Sequence, residues 1–218
     1  MVHPLAVLLD EAAHDRFPPA DGRVHALPSL PGGIDALVGF TGTFRVTGTL
    51  TQAEVDARVP NGELAIPMSP EFVSWAAARL GAKALTQDIV LVATAPGAQA
   101  AVPATVELVE VAESDHSRVA EASRHRRGLR VYETMDRAGV VVLGRGITGR
   151  WEIAYEADDH ARNRGLGRAL ATAGLGLLPE GTPVWAQVAP GNAASVRAML
   201  GAGFRPVGAE ILFVRDPK

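Results

Sequence analysis

Arg162-Asn163-Arg164-Gly165-Leu166-Gly167-Arg168 separates a predicted strand from a predicted helix. Its two glycines let the backbone come close to a ligand, because no Cβ atom stands in the way. The first amides of the following helix lack partners inside the helix, and with the helix dipole they favour an anion. The three arginines suit phosphate. The stretch therefore predicts a phosphate or pyrophosphate cradle, with a glycine-rich turn and solvated arginines as the competing interpretation.

A second motif, Asn192-Ala193-Ala194-Ser195, opens the last predicted helix, and Gly203-Phe204 follows that helix. Asn192 suits the N-cap of a helix over residues 193–200. An Arg-x-x-Gly-x-Gly loop after a strand, together with an Asn-x-x-Ser…Gly-Phe segment, resembles the signature of the GNAT acetyltransferase superfamily. The resemblance is strongest to the branch that acetylates protein N-termini and small amines, and it covers residues 106–217.

The order of predicted elements in this part of the chain agrees with an α/β fold. The resemblance implies a mixed, mostly antiparallel GNAT-like sheet with a crossover helix after the pyrophosphate loop. We predict this domain over residues 103–218, with the stretch 95–103, rich in Ala, Gly and Pro, as the boundary. Strands are predicted over 105–111, 129–134, 139–143, 151–157, 184–188 and 205–214, and helices over 117–125, 166–178 and 193–200.

Residues 1–102 are predicted to form an α+β region. A strand is expected over 36–46, where Phe40, Phe44 and Val46 alternate on one face. Three further elements have start or stop signals: a capping box at Thr51–Glu54 for a helix to residue 58, Ser69-Pro70 and Gly81 around a second helix, and a strand over 88–95. This region is expected to be a lid, a degenerate copy of the same fold, a dimerisation surface or a part of the acceptor pocket.

The resemblance also implies where CoA binds. Pantetheine is expected to pair with the backbone of Tyr155, Glu156 and Ala157, and an N–H near Ala157 is expected to polarise the thioester carbonyl. The remaining contacts are expected from the loop, which holds the pyrophosphate in this family, and from the cap of the last helix: Arg162, Asn163, Arg164, Gly165, Leu166, Gly167, Arg168 and Asn192.

Glu152 and Ser195 are the predicted catalytic residues. An alkyl amine with a pKa of about 10 is mostly protonated at pH 7, so a base or a water relay helps it to attack. Glu152 is the first candidate base and His160 the second, although a carboxylate on a strand is more often only solvated. Ser195 is expected to hydrogen-bond the departing sulfur, unless its hydroxyl bonds its own helix backbone.

Two residues depart from the family pattern. Met199 stands where many relatives carry a tyrosine general acid, and a thioether cannot donate a proton. The thiolate would then leave stabilised by Ser195, by water, or unprotonated. Asp159 stands where many relatives have a proline.

Two other motifs compete with this interpretation. Gly144-Arg145-Gly146-Ile147-Thr148-Gly149 matches the dinucleotide pattern, but a strand rather than a helix follows it, so a hairpin connection is predicted. The run Arg124-His125-Arg126-Arg127 is expected to be solvated surface, with a contact to the CoA adenosine phosphate or to an acidic partner as the alternative. The six histidines show no metal-binding spacing, so no metal is expected.

Composition limits the remaining classes of function. The net charge of −3 argues against nucleic acid, and the lack of cysteine excludes disulfides and thiolate chemistry and suits the cytoplasm. No secretory signal opens the sequence, and no apolar stretch approaches the roughly 18 residues of a membrane span.

The sequence thus predicts an N-acetyltransferase that moves an acetyl group from acetyl-CoA to a primary amine of a small molecule or a protein N-terminus. Monomer and homodimer stay open. The main competing hypothesis is a non-catalytic acyl-CoA-binding or sensor module, motivated by Met199 and the uncertain base. An interaction protein with a vestigial CoA site is the other.

Overall fold

The computed structural model describes residues 2–60, 62–97, 106–158, 160 and 164–215. The helices are α1 (Pro4–Ala13), α2 (Gln52–Asp56), α3 (Pro70–Leu80), α4 (Ser117–Ser123), α5 (Leu166–Leu175) and α6 (Ala193–Gly201). The strands are β1 (Val24–Leu27), β2 (Ile34–Phe40), β3 (Thr43–Thr47), β4 (Lys83–Ala84), β5 (Asp88–Thr94), β6 (Leu108–Val111), β7 (Arg127–Thr134), β8 (Gly139–Arg145), β9 (Trp151–Ala157), β10 (Pro183–Val188) and β11 (Arg205–Val214).

The chain divides into two compact units, one formed by Met1–Val90 with Val207–Lys218 and the other by Leu91–Pro206. The predicted boundary at residues 102 and 103 lies within 98–105, outside the described residues. The compact units divide earlier, and the C-terminal segment belongs to the first unit. The reason is that β11 pairs with β2 through six residues, from Ala209 opposite Gly39 to Val214 opposite Ile34.

In the first unit, β1 runs parallel to β3, β3 antiparallel to β2, and β2 antiparallel to β11, with β4 also on β11. The apolar side chains of α2 and α3 join the core of this sheet, among them Val55, Phe72 and Leu80. The predicted helix starts are confirmed: Thr51 and Glu54 form a reciprocal capping box, and Ser69 caps α3.

The predicted strand over 36–46 is corrected to a hairpin. Gly42 adopts a φ of 68° and turns the chain between β2 and β3, so Phe40 and Phe44 lie on neighbouring strands. Such a φ is open to glycine at no steric cost, which is why the turn falls at this residue. Helix α1, which the sequence did not predict, begins at Pro4 after a His3 cap and buries Leu5 and Leu9.

In the second unit the strands follow the order β10-β9-β8-β7-β6. Neighbours are antiparallel except β9 and β10, which are parallel and joined by the crossover helix α5. This confirms the predicted α/β class with a mixed, mostly antiparallel sheet. A short 3₁₀ turn over Ile147–Gly149 connects β8 to β9, which confirms the predicted hairpin connection.

Small residues let α5 lie close to this sheet. A Cβ atom on Gly174 would come 3.1 Å from a Val141 methyl and 2.5 Å from a methyl of Ile153. On the other face of the sheet, Ala122 of α4 packs with Val131, Val140 and Val142. Among the described residues, no helix has the length and apolar character that crossing a bilayer requires.

Candidate active site

The parallel strands β9 and β10 pair only where they begin. Within the described residues their register consists of Val184 opposite Trp151 and Trp185 opposite Glu152. The other edge of β9 is paired with β8 along its whole length, as far as Ala157 opposite Gly139. The two parallel strands therefore diverge towards the carboxyl end of β9.

A cleft of about 700 Å³ lies at this end of β9. Its described lining comes from β9, the start of α5, the length of α6, and Arg118 of α4. These residues are Arg118, Tyr155, Glu156, Ala157, Gly165, Gly167, Arg168, Asn192, Ala194, Ser195, Arg197, Ala198 and Gly201. The structure thus brings together the three predicted β9 residues, both loop glycines, Arg168, Asn192 and Ser195.

The start of α5 has the form of an anion site. Gly165 occupies the N-cap with a φ of 86°, and no side chain of the described residues caps the helix there. The first amides of α5 are therefore left for a ligand or solvent. Arg168, in the first turn of the helix, lines the same cleft.

Gly167 is needed for the packing of α5 on β9. A Cβ atom at this position would lie 3.0 Å from Cε2 of Tyr155 and 3.6 Å from Cβ of Ala198. A Cβ atom on Gly165 would meet no atom of the described residues within 4 Å, so glycine is required there for its backbone conformation instead. The two glycines of the motif thus have different functions, one for the turn and one for close approach.

The start of α6 borders the cleft on another side. The Asn192 side chain accepts a hydrogen bond of 3.1 Å from the backbone N–H of Ser195, which is the N-cap interaction that its sequence position predicts. Its carboxamide NH₂ group is the donor that would remain for a ligand.

The sequence did not predict five lining residues. Ala194, Ala198 and Gly201 share one face of α6 at helical spacing, and a Cβ atom on Gly201 would meet Cδ of Arg168 at 2.9 Å. That stripe of small residues was a signal for close packing. The other two, Arg118 and Arg197, add positive charge from α4 and α6.

Glu152, the first candidate base, lies outside the lining of the cleft. Its side chain is buried, and its two oxygens accept hydrogen bonds of 2.8 Å from Nε of Arg126 and Nε of Arg150. Burial alone would raise the pKa of Glu152, but Arg150 and Arg126 outweigh it and hold the pKa below its ordinary value. A carboxylate ion-paired in this way is a poor base for an ammonium group, so the geometry favours a structural ion pair over the predicted role of Glu152 as a base.

The basic run 124–127 also differs from its prediction as solvated surface. Arg126 is mostly buried, and besides Glu152 it donates to Oε1 of Gln187 at 3.0 Å. His125 is buried enough that desolvation lowers its pKa, with Arg126 and Arg124 acting in the same direction. Half of this run therefore belongs to the interior of the second unit.

Glu156 is the one acidic side chain among the described lining residues. Its Oε2 lies 3.4 Å from Nε of Arg118 and 3.9 Å from Nδ1 of His116. This carboxylate is still 28% exposed, in contrast to that of Glu152 at the other end of the strand.

The other predicted site residues lie at the edge of the described chain. Arg162 and Asn163, together with Asp159, lie outside the described residues. Arg164 is described and exposed, and Leu166 begins α5 half-buried. His160, the second candidate base, is exposed and absent from the described lining of the cleft.

The described residues fit coenzyme A. They supply a helix start without a side-chain cap, arginines for phosphate, a groove between diverging strands for an extended pantetheine arm, and the buried hydroxyl of Tyr155, which has no hydrogen-bond partner within the described chain. No group of three or more metal-ligating side chains is found in the described ranges.

The chain is similar to GNAT acetyltransferases. It superimposes on a GCN5-related N-acetyltransferase from Kribbella flavida with a TM-score of 0.45 and 15% identity, over 67% of this chain and 64% of that one. A GCN5-related N-acetyltransferase from Sphaerobacter thermophilus superimposes with a TM-score of 0.40 and 16% identity, over 69% of this chain and 59% of that one. A tandem GNAT protein from the clavulanic acid biosynthesis pathway superimposes with a TM-score of 0.42 and 20% identity, over 64% of this chain and 57% of that one.

The chain spans less than two thirds of the length of each of these solved chains. No protein-family model matches the sequence, and no curated protein matches it.

Proposed function

We propose that this chain is an acetyl-CoA-dependent N-acetyltransferase of the GNAT superfamily, acting in the cytoplasm on a primary amine of a small molecule or a protein N-terminus. One observation carries the proposal: the uncapped start of α5, with Gly165 and Gly167, opens into the cleft where β9 and β10 diverge. An anion-binding helix start beside a groove for an extended chain suits a phosphate-bearing carrier whose reactive end must enter the protein.

In this proposal different residues bind different parts of CoA. The first amides of α5, with Arg164 and Arg168, bind the pyrophosphate, and Arg197 adds charge from α6. The backbone of β9 from Tyr155 to Ala157 pairs with pantetheine, together with the carboxamide of Asn192. Bound acetyl-CoA would supply an acetyl thioester, which is an activated acyl donor.

The chain's own groups then prepare the acyl transfer. The N–H near Ala157 hydrogen-bonds the thioester oxygen as negative charge develops there. Glu156 replaces Glu152 as the proposed carboxylate, because it lines the cleft, where it can hold an ammonium group or take its proton through water.

A second candidate function is a non-catalytic acyl-CoA-binding module. Two observations favour it: Glu152 is locked between arginines, and Met199 cannot act as an acid. In that case the cleft would bind acyl-CoA without turnover.

The proposal is tested by calorimetric titration of acetyl-CoA into the wild type, a Gly165→Glu variant and a Gly181→Glu variant. Gly181 is the matched control, because it has a φ of 80° against 86° for Gly165, lies in the same unit, and has equally open surroundings. We expect the wild type and Gly181→Glu to bind and Gly165→Glu, still folded by circular dichroism, to lose binding.

A screen of amines by free-thiol release then separates the two candidate functions. Turnover with any amine supports the acetyltransferase, and tight binding with no turnover across small amines and peptide N-termini supports the binding module. If wild-type protein does not bind acetyl-CoA, both are rejected.

A further inference from the structure

The chain has two tyrosines, and one of them, Tyr155, lines the cleft. Its ring lies against Gly167, and its hydroxyl oxygen would be 3.5 Å from a Cβ atom placed there. That oxygen is buried, and within the described residues it forms no hydrogen bond of acceptable geometry. Because an unpaired buried hydroxyl is costly, its presence in a ligand-binding cleft points to a partner that arrives with the ligand.

Ser195 is the neighbour of this hydroxyl. Burial raises the pKa of Tyr155, and the nearby Ser195 side chain acts in the opposite direction. The two hydroxyls are therefore close, although they are not aligned for a hydrogen bond. Both line the cleft, Tyr155 from β9 and Ser195 from the first turn of α6.

Met199 lies one helical turn beyond Ser195, on the same face of α6, and is buried. The side chains of an α-helix point back towards its N-terminus, so a group at position 199 covers the surface near Ser195. The Tyr155 hydroxyl reaches that same surface from β9. The structure thus places a phenol beside a surface where α6 offers the Ser195 hydroxyl and, at position 199, only a thioether.

We propose, on the basis of the function proposed above, that the Tyr155 hydroxyl is the catalytic acid that protonates the departing sulfur, directly or through the Ser195 hydroxyl. A residue on the central strand would thereby perform the task that Met199 cannot.

The amine nitrogen forms a C–N bond to the acetyl carbon, and as the C–S bond breaks its electron pair passes to sulfur. Tyr155 gives its proton to that sulfur, and the resulting phenolate regains the proton that the nitrogen loses, through water. The net change is amine plus thioester to amide plus thiol. A raised pKa keeps Tyr155 protonated at neutral pH, so the acid is always ready.

The kinetic test compares Tyr155→Phe with Tyr132→Phe. Tyr132 is the matched control, because its hydroxyl is also buried without a hydrogen-bond partner in the described chain, and it lies on β7 away from the lining of the cleft. With an amine found in the screen, we expect kcat of Tyr155→Phe to fall about 100-fold or more, the range of general acid catalysis. Tyr132→Phe should keep the wild-type kcat, and both should bind acetyl-CoA with unchanged affinity.

A second test needs no turnover. In Tyr132→Phe protein Tyr155 is the single tyrosine, so ¹³Cζ-tyrosine labelling gives one NMR signal. We expect CoA to shift this signal and desulfo-CoA, which lacks the sulfur, to leave it near its free position. The phenolate absorbance of the same protein should appear at a higher pH than that of a solvent-exposed tyrosine, because burial raises the pKa of Tyr155.

The outcomes separate this proposal from the function on which it rests. An unchanged kcat in Tyr155→Phe overturns it, and so does an equal NMR shift with CoA and desulfo-CoA, whatever the rates. In both cases the acetyltransferase assignment stands. If neither CoA nor acetyl-CoA binds the wild type, the proposed function itself is rejected.

Discussion

Glu152 and Glu156 lie on the same face of β9, one at each end of the strand, and their environments are opposite. At the first end β9 is paired with β10, and Glu152 is buried between two arginines. At the second end β9 has diverged from β10, and Glu156 lines the cleft. The same residue type is thus part of the interior at one end and lines the cleft at the other.

The difference shows that strand pairing, rather than residue type, decides which carboxylate can take part in chemistry. Where the parallel pair is closed, no room is left at Glu152: a Cβ atom on Gly146 would overlap its carboxylate. Where the pair opens, side chains and backbone face a cleft of about 700 Å³.

The largest expected effect that tests this contrast is on stability. We expect Glu152→Gln to lower the free energy of unfolding by about 3–5 kcal/mol, because it leaves two buried arginines without their carboxylate. Glu156→Gln, the matched change at the open end, should cost less than about 1 kcal/mol. Urea unfolding of both variants measures the difference, and equal losses would contradict the contrast between the two ends.

The limits of β9 and the burial of its glutamates differ in how well the sequence predicts them. The limits of β9 were predicted correctly, because Trp151–Ala157 is bounded by a glycine-rich connection on one side and by the loop motif on the other. The burial of Glu152 could not be predicted in the same way. One of its partners, Arg126, is 26 residues away in the chain and reaches it only through tertiary packing.

Arg150 was a readable signal, since it lies two residues before Glu152 and shares its face of the strand. The cleft itself was predictable to the extent that local motifs determine it, which covers Gly165, Gly167, Asn192 and Ser195. Arg118 and Arg197 come from helix faces with no motif around them, so only the folded structure brings them to the same cleft.

A smaller effect is expected at the turn into α5. We expect Gly165→Ala to weaken acetyl-CoA binding about 5- to 30-fold, because alanine in a left-handed conformation costs roughly 1–2 kcal/mol and would turn the first amides of the helix away from the ligand. Gly181→Ala carries the same backbone strain and should lose stability without losing affinity. Calorimetry and thermal unfolding together separate strain from binding, and an equal loss of affinity in both variants would contradict a specific site at α5.

Lowering the pH should reduce the stability of the folded protein through protonation of Glu152, at the end of β9 that is paired with β10. Its pKa is held below the ordinary value in the folded protein, so its contribution to stability is complete above the unfolded pKa and is lost as the pH falls through the folded one. Between about pH 5 and pH 3 we expect the free energy of unfolding of the wild type to fall as the pH is lowered. Glu152 should contribute up to about 1.4 kcal/mol per pH unit to this fall. Urea unfolding across this range should show a smaller slope in Glu152→Gln, and parallel slopes in the two proteins would show that Glu152 titrates alike in both states.

The smallest expected effect concerns the charge at the open end. Arg168 is exposed at the first turn of α5, so solvent and salt screen its attraction for phosphate. We expect Arg168→Gln to weaken acetyl-CoA binding only about two- to fivefold at low salt, and the loss to shrink further as ionic strength rises. Arg124→Gln removes an equally exposed arginine outside the described lining of the cleft and should leave affinity unchanged at every salt concentration. If both variants weaken binding equally, phosphate is attracted by the overall charge of the protein rather than by a particular arginine. If only Arg168→Gln weakens binding, the charge acts locally where β9 diverges from β10.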